Sequence, residues 1–256
     1  MVLGLVLMGF LLVVFALPHG DPTAVDLGSA LAGPSRAHPL GTDRLGRDLW
    51  SLLAAGFWRT LAVVTVTCAT SLLIGIPCGL IAGYLGKAAD AVIMTLTDLT
   101  MVVPSFIAAL IITSAIGLTP VSAGAVLGVF GAGPYVNQTR ALTRSVRGAE
   151  YVRVEMLLGT PTSAILARFV LPAVADPLLR YFGSTASGAV LSYAGLAFIG
   201  LGLDGTLPDW GTTLYQNRTQ VDHPALILWP AAGVLALSLV FQLFCDASVA
   251  GGDEVA

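Results

Sequence analysis

The chain has 256 residues, of which 56% are hydrophobic and only 11% charged, with a formal net charge of −3; its mean hydropathy is +0.86. A soluble domain carries about 25% charged residues. So few charges exclude an ordinary cytosolic enzyme, a disordered protein and a nucleic-acid binder, and they point to a polytopic membrane protein with about 20 apolar residues per crossing.

Residues 1–17 carry no polar side chain and span roughly 26 Å as a helix. No basic stretch precedes the run, so it reads as a retained first span rather than a signal peptide. Residues 18–56 are polar and rich in Gly and Pro, and form an external segment. Residues 57–83 make a second span with Trp58 at its start and Tyr84 at its end, as interfacial aromatics do. In it, Gly75, Gly79 and Gly83 are spaced by four and share one face, inviting close approach of a neighbouring helix. Pro77 is expected to kink it. After the short turn 84–90, a third span covers 91–117, interrupted by Asp98 and Pro104. The fourth covers 121–139, again with glycines four apart at Gly124 and Gly128; the fifth covers about 177–202 and the sixth about 225–245. Residues 57–246 thus form a five-span core with a loop at 147–172, and 247–256 are a short tail.

Six spans put both termini on one side. Arg140, Arg144, Arg147, Arg153 and Arg168 are concentrated in 140–172, with Lys87 on the same side; Arg36, Arg44, Arg47 and Arg218 lie opposite, with Arg59 at the boundary. The positive-inside rule makes the 140–172 loop and both termini cytoplasmic. The fold class expected is therefore all-α, with six transmembrane helices.

The 147–172 loop interleaves Tyr151, Val152, Met156 and Leu158 with Glu150, Arg153 and Glu155. Gly159 serves as a helix stop, and Thr160 followed by Pro161 reads as the cap and first residue of a second helix running to about Val170. Two short helices with a glycine break suit docking into a partner's groove; a connector lying on the membrane surface fits the same pattern. Gly159, nine residues, Phe169, one residue, then Leu171-Pro172 resembles the EAA loop of ABC importer permeases. In that family the loop holds the coupling helix that docks on an ATP-binding subunit. The resemblance implies that Glu150, Tyr151, Arg153, Glu155, Met156, Gly159, Thr160, Phe169 and Pro172 form an ATPase-docking loop. The aligned triplet here is Arg153-Val154-Glu155, so Arg replaces the first Glu of the family pattern and Glu stands at a position usually held by Ala.

A second segment, Gly41-Thr42-Asp43, two residues, then Gly46-Arg47-Asp48, is similar to a signature of the dipeptide/oligopeptide/nickel branch of these permeases. Asp48 is placed to cap the helix leading into span two, and Arg47 to pair with Asp43 or Asp48. A self-contained capped loop and a contact with a binding protein both fit. Gly83-Tyr84-Leu85-Gly86 with Asp90, Asp98 through Pro104-Ser105, Gly195 through Gly202, and Pro208-Asp209-Trp210-Gly211 are similar to the same branch.

An ionisable group inside a span is a functional candidate. Asp98 is expected to pair with Arg140 or Arg144, and Asp176 with Arg180 four residues on. Asp98, Pro104, Ser105, Ser184 and Ser187 are candidate pathway or intramembrane polar residues. Gly183 to Gly188 superficially resembles a membrane serine protease motif, but His19, His38 and His223 lie outside or at the edges of the spans and offer it no base. They have no metal-ligand spacing either. Cys68, Cys78 and Cys245 read as small apolar residues. The chain lacks a GxxxxGK[ST] loop, so no cofactor is expected on it. The resemblance implies ATP and Mg on two partner ATP-binding subunits, a second permease subunit forming a heterodimer, an extracytoplasmic substrate-binding protein, and a prokaryotic inner membrane around the complex. Peptides, nickel and metal chelates are all open as cargo. The alternative is a stand-alone secondary transporter or channel.

Overall fold

The computed structural model describes residues 2–17, 20–200 and 208–246. Among them the chain is helical, in the order α1 (Val2–Ala16), α2 (Leu49–Leu85), α3 (Lys87–Val102), α4 (Ser105–Ile116), α5 (Pro120–Phe130), α6 (Gly133–Arg147), α7 (Glu150–Leu157), α8 (Thr162–Ile165), α9 (Leu171–Phe198), α10 (Trp210–Asn217) and α11 (Ala225–Asp246). A π-helical turn, Leu166–Val170, joins α8 to α9. The expected Asp176–Arg180 pair involves side chains outside this description, as do Leu201, Gly202, His19, Cys245 and the tail 247–256.

The 37-residue α2 is the spine, about 55 Å long at 1.5 Å per residue. It starts earlier than the apolar run, because Asp48 caps it by accepting from the Ser51 backbone N–H at 2.8 Å. It ends at Gly86, and Pro77 lies inside it. By length and composition α2 and Ala225–Leu243 are apolar enough to cross a membrane. Two further helix pairs are bent: α3 and α4 by 76° at the Val103-Pro104 break, and the segments either side of Asp176 by 50°. The fourth apolar run is also broken, since α5 stops at Phe130 and α6 restarts at Gly133, with Pro134 in its first turn.

Between helices in lipid there is little hydrophobic driving force, so close approach and shape carry the association. The glycines spaced by four supply it. A Cβ on Gly75 would lie 2.3 Å from the Tyr135 Cβ, and one on Gly79 would lie 2.4 Å from the Thr139 Cβ. On Gly83 it would lie 2.7 Å from the Thr143 Cβ. Half of α2 thus offers holes to knobs of α6. Along its other half the roles reverse: Gly124 and Gly128 of α5 face Val66 and Thr70 of α2, at 2.7 and 2.6 Å from a hypothetical Cβ.

The opposite side of α2 packs on α9 and α11 through Leu52, Phe57, Val64 and Cys68 against Ala186, Val190, Leu237 and Phe241. Phe15 of α1 stacks on Phe57, ring centroids 4.7 Å apart, and Trp58 Nε1 donates to Phe15 O at 3.2 Å. Ser187 of α9 and Ser238 of α11 share a buried hydrogen bond of 2.7 Å. Many outward apolar side chains stay uncovered, among them Leu73, Val102, Ile111, Leu191 and Leu239. Water would not tolerate such a surface; a bilayer does.

Candidate functional site

The two signature segments lie at opposite ends of α2. At its start, the 20–48 loop is closed by its own side chains. Asp43 is buried and accepts from the backbone N–H groups of Leu45 and Arg47, both at 2.9 Å. Its Oδ2 pairs with the buried Arg47 guanidinium, Nη2 at 2.6 Å and Nε at 2.7 Å. Arg47 Nη2 also donates to Gln216 Oε1 of α10 at 2.7 Å. Thr42 Oγ1 donates to Ser29 O at 2.5 Å and accepts from Ala32 N at 2.9 Å. Asp48, besides capping α2, meets His38 Nδ1 at 3.1 Å through its Oδ1. A Cβ on Gly41 would sit 2.7 Å from Ala32 O. Gly46 has φ +71°, and a Cβ there would lie 1.7 Å from Asp26 O, so only glycine closes the loop. All six signature residues thus have a structural task, and Arg47 takes Asp43 rather than Asp48.

α10 clasps the same end. Trp210 is buried and its Nε1 donates to Leu53 O at 3.0 Å. Gly56 makes room for its ring: a Cβ there would be 2.5 Å from the Trp210 Cδ1. Asp209 caps α10 through Thr212 N at 2.8 Å and stands 3.9 Å from Arg59 Nε. Arg59 Nε also donates to Tyr193 OH at 2.9 Å. Burial pushes the Asp209 carboxyl above the usual carboxylate range, against the opposing pull of the Thr212 N–H and Arg59. This three-way contact joins residues 134 positions apart, and only the spatial register of α2 and α9 discloses it.

At the far end of α2, Asp90 in the first turn of α3 receives two arginines of α6. Arg140 grips it with Nε and with Nη2, the latter at 2.8 Å, and Arg144 Nη2 reaches it at 2.5 Å. The sequence expects Asp98 here. The glycine register decides otherwise: Gly83 packs against the Arg140 carbonyl, which brings Arg140 level with the start of α3. Asp98 lies two turns further on and is exposed. Arg147 lies over the Tyr84 ring, 5.3 Å from its centroid.

From this base the 150–170 loop projects. Val152, Ile165 and Val170 are buried against Tyr84, Tyr135, Val174 and Leu178. Glu150 opens α7 at its positive end. Gly159, φ +76°, ends the helix as expected. The cap of the next helix is Pro161 rather than Thr160: the Thr160 hydroxyl is engaged by Glu155 Oε2 at 2.6 Å. That bond gives the unusual Glu155 a role within the loop. Tyr151 and Phe169 have ring centroids 6.4 Å apart. Arg153 and Met156 are exposed, and Pro172 lies in the first turn of α9. The most exposed apolar side chains of the loop are Leu157 at 87% and Leu158 at 73%, with Val154 and Tyr151 beside them. The interleaved pattern marks the loop, but Leu157 emerges as its tip only once Val152 is seen to be the anchor.

The intramembrane candidates divide. Pro104 caps α4 and makes the 76° break, with Ser105 the first residue of α4. Ser184 is exposed on α9 in line with Gly188 and Leu191. Ser187, one turn further on, is buried in the α9–α11 contact and belongs to packing. No group of three or more metal-ligating side chains occurs among the described residues.

Comparison with known proteins adds a family. The profile of the binding-protein-dependent transport system inner membrane component matches residues 75–250. The probable D,D-dipeptide transport system permease protein DdpC of Escherichia coli is 30% identical over 245 residues, covering 94% of this chain and 82% of that protein. The di/tripeptide transport system permease protein DppC of Pseudomonas aeruginosa is 32% identical, covering 85% and 72%. A glutathione transport system permease protein, GsiD of Pectobacterium atrosepticum, is 27% identical, covering 91% and 77%. A solved structure of the MetNI methionine ABC transporter, inward facing, shares the fold with a TM-score of 0.62 at 18% identity, over 78% of this chain and 95% of that one.

Proposed function

The chain belongs to the family of binding-protein-dependent transport system inner membrane components, and from that premise we propose how it works within an ATP-driven importer of the peptide branch. It is a transmembrane permease subunit of the inner membrane. Six spans, the fourth completed by α5 and α6 together and the first by α1, set both termini and the 147–172 loop in the cytoplasm and the 20–48 loop outside. The subunit forms half of a pathway whose other half is a second, different permease chain. Two ATP-binding subunits hold ATP and Mg, and a binding protein delivers cargo from outside. The cargo class is short peptides, in keeping with the names of the relatives.

One observation carries the coupling role: a loop anchored by Val152, Ile165 and Val170 that leaves Leu157 and Leu158 almost bare. Apolar knobs on a rigid base are what a groove in a partner binds, with charges such as Arg153 setting register. ATP binding closes the partner ATPases and draws two such loops together. Movement then reaches the spans through the α6–α2 contact, because no loose segment lies between Arg147 and Glu150.

The test is purification in gentle detergent from the native membrane, followed by identification of co-purifying chains. Wild type should bring an ATPase and a second permease. Leu157→Asp with Leu158→Asp should lose the ATPase and retain the second permease, since both side chains are exposed and neither supports the fold. Equal ATPase recovery by that variant would refute the docking role. A wild-type chain recovered alone would point instead to a self-sufficient transporter.

A further inference from the structure

α1 turns one face away from the rest of the molecule. Val6, Phe10, Val13 and Leu17 recur at intervals of four, three and four, so they form one stripe along the helix. Each is more than half exposed. The stripe runs for about 16 Å at 1.5 Å per residue, roughly half of a hydrocarbon core about 30 Å thick. At its end Leu17 borders a pocket of about 540 Å³ together with Arg36, Leu40, Asp48 and Trp50. Trp50 stacks on Phe15, ring centroids 5.6 Å apart, where α1 ends and α2 begins. An indole at that level suits the membrane interface.

The charges of the pocket are unequal. Asp48 is committed: one oxygen accepts from the Ser51 backbone N–H and hydroxyl, each at 2.8 Å, and the other meets His38. Arg36 is exposed, and its guanidinium has no partner among the described residues. The Trp50 indole N–H has no acceptor among them either. A cation and a neutral donor thus border one pocket, and an uncovered apolar track leads from it along α1.

We infer that the pocket and the stripe bind one anionic phospholipid of the outer leaflet, its phosphodiester on Arg36 and Trp50 and an acyl chain along Leu17, Val13, Phe10 and Val6. The choice of leaflet rests on the topology proposed above. An acyl chain gains little by moving from bulk lipid onto an apolar helix, so selection among lipids falls to the head. There the guanidinium offers charge-assisted hydrogen bonds to phosphate oxygens. An ethanolamine head would bring an ammonium with no free carboxylate to receive it, because Asp48 is engaged. A soluble phosphate would use Arg36 and leave the stripe bare; a lipid covers both.

The test uses the whole importer complex in phosphatidylcholine nanodiscs doped with a phosphatidylglycerol that carries a photoreactive diazirine at the end of one acyl chain. Illumination should attach it to α1 near Val6 and Phe10. Unlabelled phosphatidylglycerol should compete, and phosphatidylethanolamine should not. Arg36→Gln should lower the yield on α1 about tenfold, and Trp50→Phe, which keeps the ring on Phe15, about fivefold. Trp50→Phe decides the matter if the arginine variant does not assemble. Unchanged yield in both variants overturns the inference. Equal competition by phosphatidylethanolamine does the same. So does displacement by glycerol 3-phosphate, which would make the pocket a solute site, and so does an adduct formed only on the isolated chain, which would put the second permease on the stripe. Topology is tested separately: Ala37→Cys should react with an impermeant maleimide in right-side-out vesicles. Reaction only in inverted vesicles would refute the proposed orientation and the outer leaflet with it, whereas failed crosslinking with Ala37 outside refutes the lipid site alone.

Discussion

The two ends of α2 carry sequence segments of similar standing, yet they use their residues in opposite ways. At the start, the six signature residues from Gly41 to Asp48 satisfy one another: every carboxylate has a partner, the arginine is buried, and the glycines admit backbone contacts that no side chain would allow. At the far end, the 150–170 loop has one side-chain hydrogen bond of its own among the described residues, Thr160 to Glu155, and turns Leu157 and Leu158 outward. The difference teaches that matching a signature does not reveal whether its residues serve the fold or a partner. What separates the cases is the bonding of each side chain. A segment whose polar groups are all answered internally is a scaffold; one that leaves apolar area uncovered on a firm base is a surface awaiting contact.

The sharpest way to break this comparison is to open the scaffold end. Asp43→Ala leaves the Arg47 guanidinium buried with only Gln216 beside it, and breaking a buried pair from one side costs about 3–5 kcal/mol. Thermal unfolding in detergent should show the largest loss of any single change considered. A loss below about 1 kcal/mol would mean that the pair is solvated and the loop is not self-closed.

The next contrast sets two glycines with the same backbone handedness against each other. Gly46 and Gly159 have φ +71° and +76°, but a Cβ meets Asp26 O at 1.7 Å in the first and nothing within 4 Å in the second. Gly159→Ala should cost only the left-handed penalty, about 1–2 kcal/mol. Gly46→Ala carries that penalty plus a backbone clash that must move the loop, and should cost clearly more. Equal shifts in the two unfolding curves would show that the 26–46 contact yields freely, and the distinction between rigid and presented ends would weaken.

Much of this architecture was legible beforehand because it rests on local rules. Glycines four apart announce close helix contacts, and Asp48 before a long apolar run announces a cap. Gly159 announces a stop. What escaped depends on register between distant helices. Arg140 and Arg144 point to an acid, but whether it is Asp90 or Asp98 follows from which α2 glycine faces which α6 residue. The Arg59–Tyr193–Asp209 contact and the Gln216–Arg47 bond are hidden for the same reason. The break between α5 and α6 is different: Gly133-Pro134 is written in the chain as punctuation, but it lies inside an apolar run whose hydrophobicity masks it. Thr160 is a third case. It has the residue type of a helix cap, and a neighbour unusual for the family, Glu155, takes its hydroxyl first.

Thr160 therefore supplies the smallest and most discriminating test. The hydroxyl donates to Glu155 at 2.6 Å, and the Thr160 backbone N–H also donates to the Glu155 carbonyl at 3.1 Å. In Thr160→Val the backbone bond persists, and the Glu155 carboxylate is half-exposed, so water replaces the lost donor. The expected cost is about 1 kcal/mol, or roughly 2–4 °C in Tm for a chain of this size. Because the turn still holds Leu157 and Leu158 on the Val152 anchor, ATPase co-purification should persist. A destabilisation as large as that of Asp43→Ala would show the 150–170 loop to be as internally consolidated as the other end. Loss of the ATPase without loss of Tm would place the Thr160–Glu155 bond at the docking surface itself, extending the presented patch from the leucines to the turn behind them.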